Sequence, residues 1–230
     1  MTTSTARRHA AGLLTMAVVL AVAFFLVPPL VGAVRPDDVP RAFVAYWSAG
    51  GPGFPPDLQR LVDQQFRLHL ARVAIALPLL GVLVTSAYRL PRLRLPIGVL
   101  ALAVAVLLIA TVQGAVSPFG TLLPALASGP ADDHLAAVLA QVRDQAEHGP
   151  TSPALDVMLD EYVRWHVVKG ALVGLLAAVL AGLSVLTWRR RRWLGLLPAV
   201  PAVAALVVLA ANLSTVADPV PPFLLLLQGG

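Results

Sequence analysis

An all-α, polytopic transmembrane helix bundle of five spans is the fold class this sequence predicts, and three observations carry that expectation. First, 58% of the 230 residues are hydrophobic and 13% are charged, with a mean hydropathy of +0.80. That is more apolar surface than a soluble domain of this length can bury, so lipid must cover part of it. Second, apolar runs stand at about 10–33, 70–88, 95–116, 170–188 and 193–216, and a bilayer crossing needs about 20 such residues. Third, arginines cluster in the short segments that begin or join these runs, and no acidic residue stands among them.

Arg7 and Arg8 precede the first run, which is either a retained first span or a secretory signal. Pro28 and Pro29 break the helix and Val31-Gly32-Ala33 fits a small-residue cleavage pattern. The run is nevertheless longer than a signal core of about 7–15 residues, so retention as a cytoplasmically anchored span is the expectation. Residues 35–68 form an outer loop. Its Pro-, Gly- and Asp-rich first part carries Phe43, Tyr46 and Trp47, aromatics expected at the headgroup level. Pro55-Pro56-Asp57 reads as a helix start, and that helix should run unbroken into the second span. Arg89, Arg92 and Arg94, with Pro91 and Pro96, turn the chain into the third span.

The second outer loop, 117–165, is broken by Pro118, Pro124, Gly129-Pro130 and Gly149-Pro150. Within it, Leu135, Val138, Leu139 and Val142 recur at helical spacing over 132–147, with acids in the first turn, which predicts a short amphipathic helix packed on the bundle. Ser152-Pro153 is a helix cap. Arg189, Arg190, Arg191 and Arg192 make the second tight turn, and the tail 217–230 is too short and too rich in proline to cross again.

Orientation follows from the charges. Nine of the 17 Lys and Arg lie in the segments on the side of the N-terminus, with none of the 12 acids. By the positive-inside rule the N-terminus is cytoplasmic and the C-terminal end of the last span is outside. A multi-pass protein of the cell membrane is implied.

Both outer loops end on the same pattern. Residues 63–72 read D-Q-Q-F-R-L-H-L-A-R and residues 160–169 read D-E-Y-V-R-W-H-V-V-K. Without a gap, Asp63 aligns with Asp160, Arg67 with Arg164, His69 with His166 and Arg72 with Lys169. Each copy leads into an apolar helix and then an arginine turn, 23 residues after the histidine in both cases (Arg92 and Arg189). A duplicated helix pair, 73–116 and 170–216, is the expectation, related by an axis along the membrane normal. On a helix the Asp and Arg of each copy lie one turn apart on one side, and the His and following base lie on roughly the opposite side.

Two readings of these motifs stand open. One is a solvated ion pair and interfacial anchors at two helix entries. The other is a polar ligand site at the outer mouth, because ionisable groups within membranes usually face an interior or cavity. Candidate ligand-binding residues on the second reading are Asp63, Arg67, His69, Arg72, Asp160, Arg164, Trp165, His166 and Lys169, joined by the amides Gln113 and Asn212 near the outer ends of the third and fifth spans. The amides suit a bond between helices as well as a ligand.

Other chemistries find little support. Without cysteine there is no disulfide, thiolate metal site or redox dithiol. His69 and His166 with Asp132-Asp133-His134 or Glu147-His148 show no recognised metal spacing, so neither metal nor cofactor is expected. No Walker loop, dinucleotide fingerprint or nucleophile elbow is present. The net charge of +5 sits in clusters at run ends rather than along one face, so the partner is the bilayer and not nucleic acid.

The segment 160–169 leading into an Ala-Leu-rich helix resembles the aromatic-x-x-W-H-x-x-R entry to the last helix of the anthrone-oxygenase-like family of small membrane proteins, with Lys169 in place of the arginine. The resemblance covers about 95–190. It implies a cofactor-independent oxygenase acting on a small aromatic substrate, with His166, Lys169 and Trp165 as the transferable positions. The residues themselves point first to a membrane-complex subunit or a small-ligand binder or transporter using the outer mouth, with a membrane-protein partner or a second copy on a small-residue stripe, Gly170, Gly174, Ala178 and Gly182.

Overall fold

Every regular element in the computed structural model, which describes residues 3–35, 37–128, 133–189 and 192–228, is helical. Besides a single 3-10 turn at Pro91–Leu93, these are in chain order α1 (Thr3–Leu26), α2 (Pro28–Val31), α3 (Asp38–Ala49), α4 (Pro56–Arg89), α5 (Arg94–Val116), α6 (Leu123–Ser128), α7 (Asp133–His148), α8 (Pro153–Trp188), α9 (Arg192–Ala217) and α10 (Val220–Leu227). Five of the described segments are long and apolar enough to cross a membrane: Arg8–Val31, Pro56–Arg89, Pro91–Val116, Pro153–Trp188 and Leu194–Ala217. Only 6% to 22% of the residues in their most apolar windows are buried within the protein. Side chains such as Phe25, Leu30, Leu77, Val99, Leu175 and Val200 therefore stand uncovered, which is the surface a bilayer covers and water does not tolerate.

The chain divides into two compact units, Met1–Ala33 with Gln64–Ala115, and Val34–Asp63 with Val116–Gly230. In the first, α1, the later turns of α4 and α5 pack through Ala17, Leu79, Leu83 and Ile97, backed by Leu20, Ala21, Val82, Ala101 and Val104. Alanines at the seam let the backbones approach. Gly32, just past α2, is closer still: a Cβ there would run into the backbone oxygen of Gln64 and come within 3.1 Å of the amide nitrogen of Leu68.

In the second unit, α8 and α9 form an antiparallel hairpin. Gly170 faces Asn212 and Leu209, Gly174 faces Leu209, and Ser184 Oγ donates to the Gly195 carbonyl at 2.8 Å. Half of the small-residue stripe is thus consumed inside the unit, leaving Ala178 and Gly182 exposed. Around the first turns of α8, helices α3, α6, α7 and α10 build a cap whose core includes Leu58, Leu61, Leu123, Val142, Leu155, Met158 and Phe223.

Several features read from the sequence are present. Helix α4 starts at Pro56 and runs without a break to Arg89. Helix α7 buries Leu135, Val138, Leu139 and Val142, although Asp132 and Gly129-Pro130 lie outside the described residues. Ser152 caps α8, its side chain accepting from the Leu155 amide at 3.3 Å.

Others are corrected. Residues 38–49 are a helix, with Val39, Ala42, Phe43, Tyr46 and Trp47 at the spacing of one buried face and Gly50 closing it at φ 65°, a left-handed conformation that glycine adopts without strain. Phe43, Tyr46 and Trp47 are accordingly not headgroup anchors. They are 1%, 0% and 8% exposed, inside the cap. Tyr46 donates to the Ala154 carbonyl at 3.1 Å, and burial pushes its hydroxyl up to about 12, so it remains a donor. Trp47 Nε1 donates to Gln141 Oε1 at 3.0 Å. The tail, read from the sequence as too short for a further span, forms the eight-residue α10, whose prolines stand at its N-terminal positions, where a missing N–H costs nothing. Its Phe223 and Leu227 are buried, and Arg143 Nη2 donates to the Leu227 carbonyl at 2.6 Å.

Candidate functional site

His166 is placed by its spacing on α8. Tyr162, His166 and Gly170 fall at intervals of four, the side of the helix that meets α9 and α10. The His166 ring lies 4.6 Å from that of Tyr162 and 5.0 Å from that of Trp165, edge to face in both cases. Tyr162 is in turn wedged against Phe223 at 5.5 Å. From α9, Asn212, which is 4% exposed, brings Oδ1 within 2.9 Å of His166 Nδ1.

The hydrogen-bond inventory then fixes the imidazole. Asn212 Nδ2 donates to its own helix at the Val208 carbonyl, 2.7 Å away, so it is the amide oxygen that faces His166. An oxygen can only accept, so Nδ1 carries the proton, and in the neutral ring Nε2 keeps a lone pair. That Nε2 is buried and has no hydrogen-bond partner. A buried acceptor left open costs about 1–3 kcal/mol, which an incoming donor would return. Chemically it can accept a hydrogen bond, take a proton, or fill one coordination position.

Neighbouring groups fix the aromatic wall. Ser117 Oγ lies 2.8 Å from Glu161 Oε2 and 2.9 Å from the Glu161 carbonyl oxygen, and Arg164 donates to Glu161 Oε1 at 2.8 Å. Gly120 sits so close to this turn that a Cβ would come within 2.5 Å of Ser117 Oγ and 3.3 Å of Trp165 Cβ. Lys169 Nζ stands over the Trp165 ring, 5.5 Å from its centroid, a cation–π contact.

The first unit handles its copy differently in detail. The His69 imidazole lies flat against the backbone of α5, where a Cβ on Gly114 would come within 2.6 Å of the ring. Its Nδ1 is buried without a partner. Next to Gly114, Gln113 is 3% exposed and its Nε2 is likewise unpartnered. The Arg72 guanidinium stands over Phe24, 6.0 Å from the ring centroid, and its Nε is buried and unpartnered.

The motif carboxylates do not join either group. Asp63 accepts from Gln59 at 2.8 Å rather than from Arg67, and Arg164 pairs with Glu161 rather than Asp160. The Asp–Arg pairing at four-residue spacing, one of the two readings of the motifs, is therefore replaced in both copies. In the second copy the reason is that Ser117 holds Glu161 half-buried, where a carboxylate gains more from a cation than exposed Asp160 does. Asp63, Arg67, Asp160 and Arg164 are all exposed.

Among the described residues no three His, Asp or Glu side chains gather to hold a metal. Glu147 and Asp144 instead flank His148 on the exposed end of α7, at 3.9 Å and 3.6 Å. A groove of about 220 Å³ lined by Asp38, Arg41, Asp57 and Arg60 holds two ion pairs that satisfy each other in solvent. Sequence reasoning missed Tyr162, Glu161, Ser117 and Phe24 as neighbours of the candidate residues. Tyr162, four residues before His166, and Glu161, three before Arg164, had local signals; Ser117 and Phe24 had none. Comparison of the chain with protein-family models, with curated proteins and with solved structures gives no match.

Proposed function

We propose that the chain is an integral protein of the cell membrane, with five spans and a cytoplasmic N-terminus, that binds a small hydrogen-bond-donating ligand through His166 on its outer side. The observation that carries this reading is the buried, unpartnered Nε2 of His166, aimed by Asn212 and walled by the Trp165 and Tyr162 rings. An acceptor between aromatic faces suits a hydroxyaromatic or similar flat donor. With 1-naphthol as probe and its fluorescence as readout, His166→Phe in detergent-solubilised protein is expected to weaken binding about three- to tenfold, the loss of one hydrogen bond. Equal binding by the variant and the parent protein would remove the reading.

The orientation rests on the arginine distribution, with His69 and His166 both entering from the outer side. Since the natural chain has no cysteine, single cysteines at Thr5, Leu93 and Trp188 should resist an impermeant thiol reagent in intact cells while one at Ser128 reacts. Labelling at Leu93 without lysis inverts the topology. A duplicated origin is supported by what each copy does internally: a histidine set against the following helix near a buried amide, and a cation three residues on over an aromatic ring. The exposed small residues Ala178 and Gly182 leave a face for a membrane-protein partner or a second copy.

A second reading, the oxygenase, is favoured by the same geometry used differently. A neutral imidazole whose other nitrogen is held by an orienting amide is the arrangement of a general base. Oxygen uptake on addition of an anthrone, abolished by His166→Phe, would establish it. Uptake no faster than the blank leaves the binder.

A further inference from the structure

The first unit holds a cation that it cannot balance. Residues 1–33 and 64–115 contain seven arginines and no aspartate or glutamate. Arg8, Arg67, Arg89, Arg92 and Arg94 are exposed and can be solvated. Arg72 is half-buried, its guanidinium lies over Phe24, and among the described residues it takes part in no ion pair. A guanidinium in apolar surroundings without a counter-charge is costly, and such groups are retained where something pairs with them.

Its surroundings say what that something is. Arg72 Nε and Gln113 Nε2 are donors and cannot accept, and both are buried without partners. Gln113 is 97% covered, since 3% of it is exposed. His69 stands one turn before Arg72 on α4, pressed on Gly114 beside Gln113, with Nδ1 also unpartnered. Three open nitrogens, two of them obligate donors and one attached to an unbalanced positive charge, ask for a group that supplies several acceptor oxygens and a negative charge. Arg72 lies on α4 and Gln113 on α5, the two helices that His69 and Gly114 bring into contact.

We propose that this seam of the first unit binds an oxyanion, donated to by Arg72 Nε and Gln113 Nε2 with His69 alongside. The phosphate of an anionic lipid or free phosphate supplies that chemistry. The site is separate from the one at His166 and stands or falls independently of it.

Native mass spectrometry of the full-length protein in detergent tests this, with phosphatidylglycerol, phosphatidylcholine and inorganic phosphate as probes. Phosphatidylglycerol is expected to bind about tenfold or more tightly than phosphatidylcholine, and Arg72→Gln and Gln113→Leu should each lose about that factor, the worth of a charge-assisted hydrogen bond. Arg67→Gln, an exposed cation on the same helix, and His166→Phe should bind phosphatidylglycerol as the parent does. Displacement of the lipid by millimolar phosphate identifies the free ion as the ligand of the same site, and persistence of the adduct identifies the lipid. Equal binding of the two lipids, or undiminished binding by Arg72→Gln and Gln113→Leu, overturns the proposal. Should either variant fail to fold, the other and the lipid preference of the parent decide. Thermal melts guard the interpretation: phosphatidylglycerol should raise the melting temperature of the parent and leave that of a folded Arg72→Gln unmoved.

Discussion

Phe119→Ala is expected to destabilise the cap of the second unit by about 3–5 kcal/mol, the range for truncating a fully buried phenylalanine. Phe119 is 1% exposed, and its ring lies 4.8 Å from that of Phe54 and 5.9 Å from that of Tyr46, so the cavity would open in the middle of an aromatic cluster. Each such pair contributes about 0.5–1.5 kcal/mol beyond area burial. The cluster also stands over the Tyr46 bond to Ala154, at the start of the helix that carries His166. Denaturant unfolding in mild detergent, followed by intrinsic tryptophan fluorescence, to which the buried Trp47 contributes, measures the effect. Phe119→Leu should recover most of it, and a Phe119→Ala protein as stable as the parent would contradict the packing.

Gly32→Ala is the second substitution with a large expected effect. The added Cβ would meet backbone atoms of α4, the Gln64 oxygen and the Leu68 nitrogen, which cannot swing aside as a side chain can. Overpacking of this kind costs about 1–3 kcal/mol and sometimes more. The expected outcome is release of α1 and α2 from α4, read as a lowered melting temperature and faster proteolysis near Val34. Gly12→Ala is the control: nothing lies within 4 Å of its Cβ position, and it sits inside α1, so it should stabilise slightly, by about 0.5–1 kcal/mol. Intact mass must first show residues 1–33 present, because a chain beginning at Val34 lacks the contact altogether.

These two sites illustrate what was legible beforehand. Long spans announce themselves because bilayer insertion is decided by hydropathy alone, without knowledge of neighbours. Helix α7 and the Ser152 cap were legible because a buried stripe and a capping hydroxyl are local patterns. Helix α3 has as good a stripe, but prolines and glycines flank it and Pro40 lies in its first turn, so composition masked its period. Helix α10 was masked by its own prolines, which are tolerated only because they fall at its beginning. Among the candidate residues, His166 and Asn212 could each be named, but not joined. They lie 46 residues apart on antiparallel helices, and which amide meets which ring depends on the seam between α8 and α9. The choice of Glu161 over Asp160 was set by Ser117, 44 residues away, which no helical wheel contains.

The bonds that close the cap span long stretches of chain: Trp47 to Gln141 across 94 residues, Tyr46 to Ala154 across 108, and Arg143 to Leu227 across 84. Helices α8 and α9 lie between α7 and α10 in the chain and form a hairpin of near neighbours that needs none of these bonds. Biogenesis therefore has an order written into it. The spanning helices can insert as the ribosome delivers them, whereas the cap closes in stages: the Tyr46 and Trp47 bonds need the chain only as far as Ala154, and the Arg143 bond must wait for Leu227. Loop closure over such distances is slow compared with hairpin formation. In that interval α3 and α7 present Phe43, Tyr46 and Val142 to whatever is near, so the cap is where a chaperone would hold this chain and where a protease would judge an unfinished one.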